Sequence, residues 1–340
     1  MSSQATLRLI KNGFKPIAAE DKNLISSFFK KENSNFSDYS FSVLYAWSAY
    51  KTLFYKRFED TLLIARSLRG KTDLLYPPLC ADTKNSFNSA INHYASVLQD
   101  IYHNDQSKTP DIHKRNTSFK ILSIDESKTD LFDDLKVPGF SFEVFEDLPD
   151  YVYDYQKLID LSGKTYKNKR ENINKFIRSY PNCSIEPITP HNIPDLLKFL
   201  TQWYTENKPQ RTIHISELFD NNAFNFEKNF VLESYQTRKL LRGFNKLELT
   251  GDCIKIYSSI VGFIIGERTN TDTFTVLIEK VNKDFFGLSQ FLFREFLIRN
   301  VKTELVNTSD DSGMPGLKIM KESYRPAYMK KRYFLNFFSH

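Results

Sequence analysis

Two adjacent carboxylates and one lysine near the C-terminus are the first candidates for chemistry in this sequence. Asp310 and Asp311 follow an apolar segment that ends at Asn307 and is typical of a strand. Ligands of α/β proteins gather at the carboxyl ends of strands, and a carboxylate there can orient an amino group or accept a proton. Lys321 carries an ammonium that, once buried, can neutralise negative charge in a transition state. A polar turn and a solvated lysine are the alternatives.

Three basic residues form a second candidate, a site for phosphate. Lys164, Lys167 and Arg170 are spaced three residues apart at the start of a predicted basic helix, 166–180. They therefore lie roughly on one helix face. Cations at a helix N-terminus oppose the helix dipole, and a bound phosphate would explain their position. A solvated basic face is the alternative.

The elements that must position the carboxylates form a strand–helix–strand unit. Residues 274–281 are rich in apolar and β-branched residues and predict a half-buried strand. Residues 288–299 carry leucine and phenylalanine at helical spacing, which predicts an amphipathic helix. Residues 303–307 predict a second, short strand, so the whole segment predicts a βαβ unit.

This unit resembles the core of the GNAT acyltransferase fold. In that fold the turn after the strand is rich in glycine, and its N–H groups, with the helix N-terminus, hold an anionic cofactor. Here the turn offers Lys283 and Gly287 as the residues for phosphate contact, followed by Leu288 and Ser289. Because the turn has a single glycine, the resemblance implies a GNAT-like core without ordinary coenzyme A binding.

A longer resemblance covers the segment after this unit. Its ordered residues are Asn307, Asp310, Asp311, Gly313, Gly316, Leu317, Lys318, Lys321, Tyr324, Pro326, Arg332 and Tyr333. That order resembles the closing segment of the phosphatidylglycerol lysyltransferase C-terminal domain family, in its soluble branch, once catalogued as a domain of unknown function. A second block, 161–176, also matches the family.

The family resemblance implies a reaction class and a set of site residues. It implies transfer of an aminoacyl group from aminoacyl-tRNA, with Lys321 near the reacting ester. Asn307, Lys318 and Tyr324 are the accompanying candidates for contacts with substrate or phosphate. The resemblance does not identify the substrate, and it implies no bound cofactor or metal.

The remaining sequence predicts a second unit of similar order. Residues 1–147 predict helix, helix, hairpin, strand, helix and strand, and residues 148–340 predict that order again. We therefore predict tandem GNAT-like domains, an N-terminal degenerate domain over 1–147 and a C-terminal domain with the family motifs over 148–340. The fold class is α/β of the α+β type, and each domain is a mixed, mostly antiparallel sheet flanked by helices.

Several local boundaries can also be predicted. Residues 155–161 predict a short helix that is ended by Gly163. Residues 246–258 and 261–268 predict a hairpin that turns at the two residues between them. Residues 140–144 predict a short strand before the domain boundary.

Composition excludes several classes of protein. No apolar run approaches the roughly 20 residues that a membrane-spanning helix requires, and the N-terminus lacks the apolar core of a signal peptide. The three cysteines lack zinc or redox spacing, and the six histidines are scattered. We expect a cytoplasmic protein with no metal site and no catalytic histidine.

Charge is distributed unevenly along the chain. Residues 1–156 contain 19 basic and 21 acidic residues, whereas residues 157–340 contain 28 and 20. The excess in the second part indicates a polyanionic partner such as tRNA or an anionic lipid surface. Ordinary solubility explains the same excess.

These features favour one function and leave two alternatives. The favoured function is transfer of an aminoacyl group from aminoacyl-tRNA to an amine or hydroxyl acceptor, which includes a lipid. The first alternative is an N-acyltransferase that uses acyl-CoA, against which the single glycine of the turn argues. The second alternative is a non-catalytic protein that binds tRNA or anionic lipid.

Overall fold

The computed structural model describes residues 4–68, 71–103, 118–209 and 226–339. These residues belong to two compact units, and each unit is assembled from separate stretches of the chain. The first unit comprises 1–34, 50–148 and 331–340, and the second comprises 35–49 and 149–330. The division into an N-terminal domain 1–147 and a C-terminal domain 148–340 stays a prediction.

The helices and strands of the earlier part of the chain are α1 Gln4–Lys11, β1 Lys15–Pro16, α2 Lys22–Glu32, α3 Phe41–Trp47, β2 Thr52–Phe58, β3 Thr61–Leu68, β4 Lys71–Leu74, α4 Lys84–His103, β5 Phe119–Asp125 and β6 Phe140–Asp154. Those of the later part are α5 Tyr155–Asp160, α6 Lys167–Ser179, β7 Ser184–Pro187, α7 Ile193–Glu206, α8 Phe226–Leu247, β8 Thr250–Ile256, β9 Ser259–Arg268, β10 Thr273–Val281, α9 Leu288–Asn300, β11 Leu305–Asn307, α10 Pro315–Glu322 and β12 Tyr328–Ser339.

The first unit is a sheet with a helix packed against it. Neighbouring strands follow the order β1-β2-β3-β4-β5-β12, and these pairs are antiparallel except β4–β5, which is parallel. Parallel neighbours require a crossover connection, and α4 lies in that connection. Tyr94 of α4 is fully buried and meets the ring of Phe119 edge-on at 5.5 Å.

The second unit contains the predicted βαβ arrangement. Its strands follow the order β11-β10-β9-β8-β7, and β11 also pairs antiparallel with the end of β6. β10 and β11 are parallel neighbours, and α9 connects them. The prediction of a strand, helix and strand in this segment is confirmed.

Helix α9 packs as its apolar stripe predicts. Leu288, Leu292 and Phe296 are completely buried in the core of the second unit, and the Phe296 ring lies 5.8 Å from that of Phe274 on β10. Arg299 lies on the outside, where its guanidinium pairs with Asp252 at 3.1 Å. Burying a large apolar side chain contributes about 1.5–3 kcal/mol, so this stripe fixes the helix on the sheet.

The predicted fold class is confirmed. The architecture is mixed α/β, with a mostly antiparallel sheet flanked by helices. Over the described residues, each unit also contains one parallel pair of strands with a helix in the connection.

The predicted cap of α5 was wrong. The helix ends at Asp160, and its C-cap is Leu161, which adopts the left-handed conformation with φ +48° and donates its N–H to the carbonyl of Lys157. Gly163 lies beyond this cap with φ +84°. Arg170 donates to the Leu161 carbonyl, so a tertiary contact supports a conformation that a non-glycine residue rarely adopts.

The predicted hairpin turn was also wrong. Helix α8 continues through Leu247, so β8 starts later than predicted. Ile256 pairs with Ser259, which leaves Tyr257 and Ser258 as a two-residue loop with φ +49° and +66°. Such loops require positive φ at both positions, and neither residue type signals it. Strand β6 is longer than predicted because its last residues pair with β11.

Candidate functional site

The site lies where β10 and β11 stop running side by side. Their register aligns Thr273 with Leu305 and Thr275 with Asn307. β11 ends at Asn307, whereas β10 continues to Val281. The chain leaves β11 through a loop, 308–314, and enters α10. This is the carboxyl end of both strands, where α/β folds bind ligands.

Asn307 ties the end of β11 to its surroundings. Its side chain is completely buried, and its Nδ2 donates to the carbonyl of Asn35 at 2.7 Å and to Asp150 Oδ2 at 2.8 Å. Its Oδ1 accepts from the N–H of Ser309 at 2.6 Å. Asp150 also accepts from the N–H of Ser37 at 2.7 Å. Asn307 therefore organises the loop through a satisfied buried network.

The two candidate carboxylates differ in their environments. Asp311 is buried, and its Oδ2 accepts from the Tyr151 hydroxyl at 2.7 Å while its Oδ1 accepts from the Gly313 N–H at 2.9 Å. Burial and this hydrogen bond raise the pKa of Tyr151. Asp310 is half-buried, and its Oδ1 accepts from the Ser312 N–H at 2.7 Å. The turn 310–313 thus uses both side chains to fold itself.

Lys321 lies inside the protein and clamps the same loop. Its Nζ donates to the carbonyl of Thr308, to that of Ser309 at 3.0 Å and to that of Asp310 at 2.6 Å. Burial lowers its pKa to about 8 and outweighs the opposite effect of the nearby carboxylates. Ser309 has φ +62°, so the clamp also holds a strained residue.

An ammonium has three N–H donors, and carbonyl groups of the loop accept from Lys321 at three positions. No N–H of the ammonium is therefore left over for a substrate in this conformation. The geometry favours a positioning role for Lys321. Its catalytic role stays a prediction.

Tyr324 follows the end of α10 and contacts residues of neighbouring helices. Its buried ring is 5.4 Å from that of Phe293, and its carbonyl accepts from the Tyr166 hydroxyl at 2.9 Å. The Nζ of Lys169 lies 3.5 Å from the centre of the Tyr324 ring and donates to Ser323 Oγ at 2.8 Å. Burial lowers the pKa of Lys169 to about 8.

Glu279 is a titratable group near Tyr324 that the sequence analysis missed. It is half-buried on β10, beyond the last residue that pairs with β11, and it accepts from Ser289 Oγ at 2.6 Å. Burial raises its pKa to about 7 and outweighs the Ser289 hydrogen bond. After burial, the charge of Glu279 is the main cause that raises the pKa of Tyr324. An acid in a mainly apolar strand was the available signal.

The pKa of Glu279 is raised and the pKa of Lys169 is lowered, so both values lie closer to neutral pH. Lys169 contacts the ring of Tyr324, and the charge of Glu279 raises the pKa of the Tyr324 hydroxyl. Such pairs are typical of sites that transfer protons.

The turn before α9 is closed against another helix. Gly287 is buried with φ +83°, and a Cβ on it would lie 2.2 Å from the carbonyl oxygen of Asn172 in α6. Gly287 is therefore required for close helix packing, which reduces the space for a pyrophosphate. Lys283 is exposed, with its Nζ 5.9 Å from the Trp203 ring. Phosphate binding by these two residues stays a prediction.

The predicted basic face does not have one common environment. Arg170 donates to the carbonyls of Leu161 and Gly163, the latter at 2.8 Å, so it secures the connection after α5. Lys164 and Lys167 are exposed. These two lysines remain the candidates for phosphate contact.

Lys167 and Lys318 pair loosely along their own helices. Lys167 lies 3.6 Å from Glu171, and Lys318 lies 4.0 Å from Glu322. Exposed pairs of this kind contribute little, so either lysine can exchange its partner for a phosphate. Although Lys318 is three residues before Lys321, its side chain is exposed.

Within the described ranges, no cluster of three or more His, Cys, Asp or Glu residues could hold a metal ion. His113, His214 and His340 lie outside those ranges. Over the same part of the chain, no helix combines the length and apolar character needed to cross a membrane.

Comparison with known proteins defines the class to which this fold and site belong. A family model described as phosphatidylglycerol lysyltransferase, C-terminal, matches residues 107–336. The match covers more than half of the chain, and the chain belongs to this family. The prediction of the family is confirmed, and it indicates a transferase.

Similar proteins extend this result. An uncharacterised protein of Mycoplasmoides gallisepticum is 26% identical over 192 residues, which cover 56% of this chain and 56% of that protein. The chain thus spans about half the length of this curated relative. A conserved protein of unknown function from Bacteroides thetaiotaomicron has a similar structure, with a TM-score of 0.76, 24% identity, and coverage of 96% of this chain and 99% of that one.

Two further solved structures share the fold. The C-terminal domain of a putative lysylphosphatidylglycerol synthetase from Agrobacterium fabrum gives a TM-score of 0.59 at 13% identity, over 94% of this chain and 91% of that one. L-PGS from Bacillus licheniformis gives 0.57 at 14% identity, over 93% and 91%. At these identities the likeness establishes the fold.

Proposed function

We propose that this protein transfers an aminoacyl group from aminoacyl-tRNA to an amine or hydroxyl acceptor. Membership of the family supports the reaction class. The observation that carries the proposal is Glu279, a half-buried carboxyl with a pKa near 7 at the carboxyl end of β10. A protonated amine or a hydroxyl must lose a proton to attack an ester, and a base is most effective when its pKa is near the working pH.

The step is balanced without a cofactor. The acceptor nitrogen or oxygen attacks the ester carbonyl of the aminoacyl-tRNA, and its proton passes to Glu279. The new bond to the carbonyl carbon forms, and the bond from that carbon to the ribose oxygen breaks. Glu279 gives the proton that it accepted to the departing ribose oxygen, which leaves as a hydroxyl.

Lys169 is the cation best placed to stabilise charge in this step. Over the described part of the chain the Lys169 ammonium donates to Ser323 Oγ, so N–H groups remain for a substrate oxygen. A half-buried ammonium can stabilise the tetrahedral oxyanion or the departing ribose oxygen. Its lowered pKa also allows it to release a proton near pH 8.

The family motif then serves as the scaffold of the site. Lys321 holds the carbonyls of the loop, Asn307 holds the loop start, and Asp311 closes the turn that leads into α10. Tyr324 follows the end of α10, so these contacts also help to position the ring that the Lys169 ammonium approaches. Asp310 is the half-buried carboxylate of the motif, and in this proposal it orients the substrate amino group.

The proposed donor contacts come from the exposed cations. Lys164, Lys167 and Lys318 are exposed and can bind the phosphates of the tRNA acceptor end. The closed turn at Gly287 argues against acyl-CoA as the donor.

The test follows loss of the ester from labelled aminoacyl-tRNA. A total tRNA pool charged with radiolabelled amino acids is incubated with the protein and mixed amine and phospholipid acceptors. We expect label to move from tRNA to an acceptor faster than spontaneous hydrolysis, and Glu279→Gln to slow it about 10²–10⁴-fold. The Glu304→Gln variant, which alters an exposed carboxyl immediately before β11, is the control. Ester loss at the buffer rate, with consumption of acetyl-CoA instead, would contradict the proposal.

A further inference from the structure

The first unit contains a cavity of about 290 Å³ that the proposed function does not use. Helix α2, the hairpin of β2 and β3, and the chain after β4 line it. Five of its seven lining residues are charged, namely Lys31, Glu32, Arg57, Asp60 and Asp82. Pockets for drug-sized ligands measure about 300–1,000 Å³, so this cavity fits a smaller, polar molecule.

One wall of the cavity is fixed by contacts inside the protein. The Glu32 side chain is 4% exposed, its carboxylate pairs with Lys128 at 2.6 Å, and it accepts a hydrogen bond from the Cys80 N–H. Cys80 has a left-handed φ of +64°, which a non-glycine residue rarely adopts, and its Sγ lies 3.8 Å from the Phe28 carbonyl oxygen. Because Glu32 is already paired, it shapes the cavity and does not bind a ligand.

The other four charges of the cavity are not paired. Lys31, Arg57, Asp60 and Asp82 are exposed, and over the residues that the structure describes their side chains form no hydrogen bond or ion pair. The two cations lie over one ring, since Lys31 Nζ is 5.7 Å and Arg57 Cζ is 6.0 Å from the centre of the Phe28 ring. The cavity thus brings together two free cations and two free carboxylates.

These four charges sum to zero and include both signs. The complementary ligand is therefore a molecule of zero net charge that carries one anionic and one cationic group. A guanidinium such as that of Arg57 binds a carboxylate through two parallel hydrogen bonds, and a carboxylate accepts hydrogen bonds from an ammonium. The Phe28 side chain, which is 5% exposed, provides an apolar wall for the carbon atoms between the two groups.

We propose that this cavity binds a free α-amino acid, whose carboxylate contacts Arg57 and Lys31 and whose ammonium contacts Asp60 and Asp82. The cavity belongs to the first unit, whereas the candidate functional site belongs to the second. The proposal therefore goes beyond the proposed function, and neither depends on the other. Because the four side chains are exposed, each contact is weak, and we expect a Kd of about 1 mM.

Other classes of ligand match the cavity less well. A phosphate group would meet two carboxylates as well as two cations. A metal ion would need several suitable ligands, and over the described ranges no group of three or more His, Cys, Asp or Glu residues could hold one. An apolar molecule would displace water from four charges without replacing its hydrogen bonds. A zwitterion is the ligand that uses all four side chains.

Alkylation of Cys80 by iodoacetamide measures occupancy of the cavity in the full chain without an assay of activity. Cys80 lines the cavity, and Cys183, a second half-buried cysteine in the other unit, is the internal control. Burial and nearby carboxylates raise the pKa of Cys80, so the reaction is run at about pH 8.5. Glycine, alanine, lysine and glutamate are each added at about 10 mM, ten times the expected Kd, and both cysteines are followed by peptide mass spectrometry.

A ligand that covers the thiol at ten times its Kd slows alkylation about tenfold. We expect this slowing at Cys80 with at least one of the four amino acids, and no change at Cys183. Arg57→Gln and Asp60→Asn each leave one end of the zwitterion with a single partner. Each should raise the Kd about tenfold and so reduce the protection to about twofold.

Lys30→Gln and Glu59→Gln are the matched controls, because both residues are exposed neighbours of lining residues and neither lines the cavity. Both variants should keep the natural protection, and melting temperatures establish that every variant is folded. Propionate and ethylammonium, which carry one charge each, should protect Cys80 less than the amino acids do.

Four results would overturn the proposal. They are unchanged alkylation of Cys80 with all four amino acids, equal slowing at Cys183, equal protection by propionate or ethylammonium, and full protection of both the Arg57→Gln and the Asp60→Asn protein. Failure of aminoacyl transfer leaves this test unaffected, because alkylation is measured without catalysis.

Discussion

Replacement of Lys321 distinguishes two roles for its ammonium, which are holding the loop 308–314 in place and stabilising charge during catalysis. In Lys321→Met the side chain keeps its length but loses the ammonium, so the carbonyls of Thr308, Ser309 and Asp310 lose their donor. Each hydrogen bond from a charged donor contributes about 1.5–3 kcal/mol. Burial of the charge opposes this, because a pKa lowered from 10.5 to about 8 corresponds to about 3 kcal/mol. The net loss of unfolding free energy is roughly 3 kcal/mol, as for other broken buried charge contacts.

The measurement is equilibrium unfolding in urea, with Lys318→Met as the control. Lys318 lies on the same helix but is exposed, and such substitutions change stability by about 0.5 kcal/mol or less. If Lys321→Met unfolds with the free energy of the natural chain, the clamp is refuted. A fully stable variant with transfer slowed about 10²–10³-fold would instead establish the catalytic role.

The remaining predictions concern the donor, the basic residues and pH. Acetyl-CoA at about 100 μM should give no thermal shift, because Gly287 is packed against α6; a ligand at a hundred times its Kd would add about 2.7 kcal/mol. Lys164→Ala with Lys167→Ala should reduce the salt dependence of tRNA binding by about one unit per lost phosphate contact, whereas Arg170→Ala should mainly lower the melting temperature. For Lys321, the folded pKa of about 8 lies below the ordinary 10.5, so the unfolded state binds more protons between these values. Stability should rise from pH 8 to 9 in the natural chain relative to Lys321→Met, by up to about 1.4 kcal/mol per unit, as measured by urea unfolding; equal slopes would contradict the buried charge.

The strand–helix–strand core was predictable because its signals are local. The spacing of Leu288, Leu292 and Phe296 defines one buried face, and the structure buries all three. The apolar run of β10 ends at turn residues that the chain uses as a turn. The spacing of apolar residues predicts which face of an element is buried, and this prediction needs no knowledge of the rest of the fold.

The environments of single charged residues were not predictable. Lys321 looks like a surface lysine on an exposed helix, and only the loop folded beneath it makes it buried. Arg170 matches the phosphate spacing, yet its partners are carbonyls of a helix end whose left-handed Leu161 gives no signal in sequence. Glu279 stands in a mainly apolar strand, but the burial that raises its pKa is not visible in the sequence. Burial of a charge is a tertiary property, and local patterns do not contain it.

The pH dependence of single-turnover aminoacyl transfer tests the central claim most directly. With Glu279 as the base, the rate should fall about tenfold per pH unit below the carboxyl pKa of about 7. This fall is the acidic limb of the pH–rate profile. Ser289→Ala removes the hydrogen bond that favours the carboxylate form of Glu279, so it should move the acidic limb to higher pH. Glu279→Gln should abolish the limb and slow transfer about 10²–10⁴-fold. A Glu279→Gln protein that keeps both the natural rate and the natural limb would contradict the account.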